Sequence, residues 1–160
     1  MKIGVPAEVK NNEHRVGLTP ESVKTLCDLG HQLFVQSNAG HAIGFTNQLY
    51  ELSGAQIIDS AAEIYKLSDL IVKVKEPVEN EFQYLRNDLT LFTYLHLAGD
   101  PVQAKKLLET GVTGIAYETV TADDGSLQID NQLENQVFSN KWTLTGKKKT
   151  ESNVFTETIK

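Results

Sequence analysis

With a single cysteine, Cys27, the 160-residue chain can form no internal disulfide. Cys27 lies in an apolar run and reads as a small buried hydrophobe, the usual fate of a free thiol. That cysteine poverty suits a reducing cytoplasm, the location expected for this protein. No apolar stretch approaches the roughly 18 residues a membrane span requires. The opening MKIGVPAEVK meets charge too soon to be the apolar core of a secretory signal. Basic residues are outnumbered 15 to 21, for a net charge of −6. A partner with a phosphate backbone calls for a basic patch or stripe, so nucleic acid is not expected. Among 11 glycines there is no G-x-G-x-x-G. The nearest approach, Gly111-x-x-Gly114, precedes a strand instead of joining a strand to a helix, so the turn that seats a pyrophosphate on a helix N-terminus is missing. No group of His, Cys or carboxylates has metal-ligand spacing, and no metal is expected.

What is present is an ordinary globular composition, 40% hydrophobic and 22% charged, long enough for one real core. Short β-type runs alternate with helical patterns up to about residue 118. Ile3–Val5 reads as a strand closed by Pro6. Thr19-Pro20-Glu21 opens a helix, with a capping hydroxyl, a proline in the first turn and an acid at the positive end. Val23, Leu26, Cys27 and Leu29 give that helix an apolar stripe, and Gly30 ends it. Strands are expected at Leu33–Val35, Gln56–Ile58, Leu70–Val74, Leu89–Leu95 and Thr113–Tyr117. Helices are expected at Asn47–Ser53, Ser60–Leu67, from Pro77 to about Leu85, and from Asp100 through Leu108. Alternation of this kind builds βαβ units. The fold class is α/β, a twisted parallel sheet with helices on both faces, Rossmann-like or flavodoxin-like.

From about Ile129 the character changes to Asn, Gln, Thr, Ser and Lys with no sustained apolar period. This segment carries a net +1, against −7 for residues 1–128. The expected organisation is therefore a domain over 1–128 and a weakly structured polar tail over 129–160. Lys147–Lys149 reads as a solvated run.

Three residues sit where such strands end. Arg15 lies in the polar loop Glu8–Gly17 after the first strand, Lys75 directly follows LIVKV, and His96 follows LTLFTYL. Right-handed crossovers place those ends along one sheet edge, where α/β proteins build their sites. An arginine fork binds a carboxylate bidentately, and a lysine adds a compact donor. A histidine titrates near neutrality and can carry a proton as an amine and a ketone interconvert. Together they suit a small amino acid or 2-oxo acid. Taken singly, each also suits a solvated loop or strand end, and His14, His31 and His41 carry no such suggestion.

MKIGVPAEVKNNEHRVGLTPESV is very similar to the opening of alanine dehydrogenases and of the related proton-translocating transhydrogenase subunits. DLIVKVKEP, LFTYLHLAGD and GVTGIAYETV follow at the spacing that family shows, so the resemblance runs through about Gln128. Ala7 and Val9 are small departures, where lysine and isoleucine are common; Glu8 and Glu118 match. VKVKEP and YLHLA resemble alanine dehydrogenase more than transhydrogenase, whose subunits usually lack that lysine and histidine. The resemblance implies reversible, NAD-dependent oxidative deamination of L-alanine to pyruvate and ammonium. It puts the carboxylate-binding arginine on Arg15, the substrate-contacting lysine on Lys75 and the acid/base histidine on His96.

The resemblance also implies a nucleotide-binding domain that supplies a catalytic aspartate, followed by a segment returning to the first domain. Neither is expected in these 160 residues. The chain alone is expected not to bind NAD and to be inactive, and to expose apolar surface that invites self-association. The abrupt change after Gln128 reads as the product of a frameshift or a truncated gene, or as an interaction segment of an intact short protein. The alternative function, suggested by the intact Arg15, Lys75 and His96 set, is a non-catalytic module that binds pyruvate or alanine or associates with full-length subunits.

Overall fold

A computed structural model describes residues 1–120, which fold around a six-stranded, all-parallel sheet. The strands are β1 (Lys2–Val5), β2 (Gln32–Gln36), β3 (Gln56–Ile58), β4 (Leu70–Val72), β5 (Thr90–Thr93) and β6 (Thr113–Ala116). Their spatial order, β3-β2-β1-β4-β5-β6, is that of a doubly wound sheet. The chain works outward from β1 to β3, then returns to β4 beside β1 and works outward the other way. The switch point therefore lies between β1 and β4.

Side-chain alternation divides the core into two layers. Ile3, Val5, Leu33, Val35 and Val72 point to one face and pack with Val23 and Leu26 of α1 (Pro20–Asp28) and Tyr50 of α2 (Asn47–Leu52). Phe34, Ile71 and Leu91 point to the other face and pack with Ile64 and Tyr65 of α3 (Ala61–Leu67) and Leu107 of α4 (Pro101–Thr110). Helices on both faces agree with the sequence expectation.

The helix starts lie where the capping residues placed them. Thr19 Oγ1 accepts from the Ser22 amide at 3.2 Å, and Asp100 Oδ1 from that of Gln103 at 2.9 Å. Gly111 ends α4 in the left-handed region, at φ 69°, where a side chain would be strained. Cys27 is half-buried, packed against the first layer without being enclosed by it.

Two expected strands are shorter. β4 stops at Val72, two residues short of Val74, and β5 spans Thr90–Thr93 where Leu89–Leu95 was expected. Strand-to-strand bonds continue past those limits, from the Lys73 amide to Phe92 O (3.0 Å) and from the Tyr94 amide to Val74 O (3.2 Å). Alongside them, the Val74 and Lys75 amides turn to the Glu8 carboxylate, and the Leu95 and His96 amides to that of Glu118. The short helix expected after Pro77 is present as a 3-10 helix, Glu79–Tyr84. Glu81 there faces the interior, where an amphipathic α-helix would present an apolar residue. The polar tail expected at 129–160 lies outside the described residues.

Candidate functional site

Arg15, Lys75 and His96 all lie in segments that follow the carboxyl ends of strands. The connection from β1 to α1 is the longest of these, 14 residues from Pro6 to Thr19. It carries Glu8, Glu13 and Arg15 across the mouth of the switch point. Gly17 lets the loop close: a Cβ there would lie 2.4 Å from Val72 O, so only glycine fits against the end of β4.

Arg15 is held rather than loose. Glu13 Oε1 accepts from Arg15 Nε at 2.8 Å and from its amide at 2.9 Å, and Glu13 Oε2 accepts from Nη2 at 2.6 Å. The Arg15 side chain is 21% exposed, so the guanidinium is anchored with part of its surface in solvent. Burial alone would raise the Glu13 carboxyl. The bonds and charge of Arg15, joined by the charge of Lys75, bring it below its ordinary value. Arg15 and Lys75 thus both favour the ionised form of one carboxylate.

Lys75 follows the end of β4, and its backbone is fixed from two sides. Glu8 reaches up from the β1 loop and accepts from the Val74 amide (2.7 Å) and the Lys75 amide (3.3 Å). Thr93 Oγ1 donates to Lys75 O at 2.8 Å, which ties the end of β4 to the end of β5. Glu118, one strand further on, repeats the Glu8 arrangement. Its Oε1 accepts from the His96 amide (2.7 Å) and the Leu95 amide (3.1 Å). The His96 side chain is exposed and stacks on Tyr94, with ring centroids 5.5 Å apart and 6° between planes. His96 also lies close enough to Glu76 for its charge to help lower that carboxyl; burial opposes the shift, and the bond from Lys10 is the main cause of it.

Beneath the edge lies a cluster that sequence reasoning passed over. Lys73, which merely interrupted an apolar strand, has no solvent exposure; its Nζ donates to Glu81 Oε1 at 2.6 Å and lies 3.6 Å from Glu8 Oε2. The Tyr65 hydroxyl donates to the same Glu81 oxygen at 3.0 Å. Desolvation pushes the Glu8 carboxyl upward against the pull of Lys73 and of the two amides it caps. A signal was available: a lysine inside a nearly continuous apolar strand can be buried only if it is paired.

A shallow groove of about 260 Å³ opens beside this edge, between residues 76–82 and the start of α4. Glu76 and Lys10 line it, whereas Arg15, Lys75 and His96 do not. It is therefore not the cavity of the candidate site. The strand order is one that dinucleotide-binding domains use, but the connection at the switch point is built differently. The first crossover is a long acidic and basic loop in place of a glycine turn, and α1 begins on Pro20, which has no amide hydrogen to donate.

Comparison with known proteins settles the family. The model of the alanine dehydrogenase/PNT N-terminal domain matches residues 4–131. This chain belongs to that family. An alanine dehydrogenase of Staphylococcus epidermidis is 46% identical over 129 residues, which are 81% of this chain and 34% of that protein. One from Bacillus subtilis is 50% identical over 121 residues, 76% of this chain and 32% of that protein. A solved L-alanine dehydrogenase superposes with a TM-score of 0.77 at 46% identity, covering 79% of this chain and 35% of that one. A transhydrogenase from Sinorhizobium meliloti superposes with a TM-score of 0.69 at 28% identity, over 74% of this chain and 35% of that one. The chain thus spans about a third of the length of the relatives it matches, and among these it is more similar to the alanine dehydrogenases than to the transhydrogenase.

No described helix is long and apolar enough to cross a membrane, and no described group of His, Cys, Asp and Glu is placed to hold a metal ion.

Proposed function

We propose that this chain is the substrate-binding part of an NAD-dependent alanine dehydrogenase. Arg15 and Lys75 receive the carboxylate of pyruvate or L-alanine, and His96 carries the proton exchanged as the amine and the ketone interconvert. The observation that supports this most is the convergence at one edge of a carboxylate-anchored arginine, a backbone-clamped lysine and an exposed histidine, supplied by three separate loops. NAD supplies the hydride acceptor in such a reaction. Because residues 1–120 carry no glycine-rich turn between β1 and α1, no step is assigned to them beyond binding, orienting and proton transfer. Hydride transfer requires the nicotinamide to be held against the substrate carbon, so the 160-residue chain alone is inactive. The family match runs three residues past the boundary expected at 128, and residues 132–160 are proposed to be a polar tail unrelated to the family.

The test is calorimetric titration of the purified chain with pyruvate, beside an assay of alanine-dependent NADH formation. Millimolar binding that Arg15→Ala abolishes, without turnover, is the expected result. Absence of heat at millimolar pyruvate refutes the binding site. Turnover that disappears in His96→Ala overturns the inactivity.

A further inference from the structure

His96 occupies a strained position. Its backbone lies in the left-handed region, at φ 51° and ψ 32°, which a β-carbon makes costly. Such a conformation persists only where surrounding contacts enforce it. Glu118 supplies the contacts that do so here, and its neighbour Tyr117 packs against the ring on which His96 stacks. The Glu118 carboxylate accepts from the amides of Leu95 and His96 together, which pulls both N–H groups to one side and turns the chain out of the β5 direction. Tyr117 is buried and meets the Tyr94 ring edge-on, at 5.1 Å and 82°. Tyr94, held in this way, stacks on His96, whose ring lies parallel to it at 5.5 Å.

We infer that Glu118 is a positioning residue: by clamping the Leu95 and His96 amides it sets the left-handed turn that lays the His96 imidazole on Tyr94 and aims it into the substrate site. The inference deepens the proposed function, and rests on that reading for the word substrate alone. Glu118 does not touch the imidazole; every bond recorded for it goes to backbone. Its effect on His96 is conformational, through the turn, and a neutral acceptor of the same length can replace it. An acceptor one methylene shorter cannot reach both amides.

The test uses NMR of the full chain, which has four histidines, with the His96 signals assigned from the spectrum of His96→Gln. In the wild type the His96 ring protons are displaced upfield by the face of Tyr94. Glu118→Ala is expected to remove that displacement and to raise the pyruvate dissociation constant about tenfold, whereas Glu118→Gln restores both. Unmoved His96 signals in Glu118→Ala overturn the inference, and so does failure of glutamine to restore them. Should the alanine variant lose its dispersed spectrum, Glu118→Asp decides, because the shortened carboxylate must also release the ring. If the wild type binds no pyruvate, the substrate site is refuted, while the ring shifts still judge the clamp on its own terms. A residue that only stabilised the fold would alter melting without selectively moving the His96 signals.

Discussion

Lys73→Met is the most exposing perturbation of this structure. The lysine is fully buried, and the carboxylates it serves, Glu81 and Glu8, are 5% and 2% exposed. Methionine fills nearly the same volume, so packing changes little. What is lost is the positive charge lying 2.6 Å from one carboxylate oxygen and 3.6 Å from another. Removing one partner of a buried ion pair costs about 3–5 kcal/mol, because the remaining charge is stranded away from water. Against a domain stability of about 5–15 kcal/mol that is a large fraction, and melting should fall by roughly 10 °C or more. Urea unfolding followed by circular dichroism at pH 7 measures the loss. The deficit should shrink on acidification, for a reason with a definite sign. Burial raises the Glu8 carboxyl above its ordinary 4.5, so the folded state takes up a proton more readily than the unfolded state. Stability tied to Glu8 is therefore greater at low pH and declines as the pH rises through its folded value, and without Lys73 that decline steepens. A Lys73→Met/Glu81→Leu double variant should recover part of the loss, since the stranded charge near Tyr65 goes with it. A single variant within about 1 kcal/mol of wild type at pH 7, with no dependence on acid, would refute the reasoning.

Other substitutions probe the frame of the site. Gly17→Ala places a methyl group 2.4 Å from Val72 O, and should cost about 1–3 kcal/mol while displacing the loop that bears Arg15; urea midpoints and loss of pyruvate binding report the two effects. Arg86 donates to Tyr65 O at 2.7 Å and to Ser68 O at 2.6 Å, binding carbonyls at the end of α3. Arg86→Ala should therefore lower stability by about 1–3 kcal/mol in the same assay, and an unchanged midpoint would dismiss that role. Glu13 behaves in the opposite sense to Glu8. Despite burial, Arg15 holds its carboxyl below 4.5, so its stabilisation is full above that pH and fades as the pH falls through the lower folded value. In Glu13→Gln the acid-side slope of the urea midpoint should flatten relative to wild type.

Much of the fold could be read from local pattern because local physics makes those choices. Thr19-Pro20 and Asp100-Pro101 can start a helix wherever they stand, and Gly111 can stop one, since caps satisfy backbone groups within a few residues. Strand-length apolar runs between such helices lead to a parallel sheet, and crossover handedness brings Arg15, Lys75 and His96 to one edge. The helix after Pro77 could be read from the sequence, whereas the contact of Glu81 with Lys73 beneath it could not, because it depends on the end of a strand that a helical period does not see.

Composition, capping and periodicity, then, were enough to establish an α/β domain without a dinucleotide loop and to mark the three residues at its strand ends, because each is a matter of neighbours along the chain. The strand order, and with it the switch point beneath the Arg15 loop, was left to tertiary structure. So were the partners that give those residues their state: Glu13 on Arg15, Glu8 on the Lys75 backbone, Glu118 on that of His96. Each joins an amide or cation to a carboxylate, and two of them span 22 and 67 residues of chain. Nothing in the spacing of glutamates says which will reach across; that follows only once six strands have aligned and their unpaired amides must find acceptors.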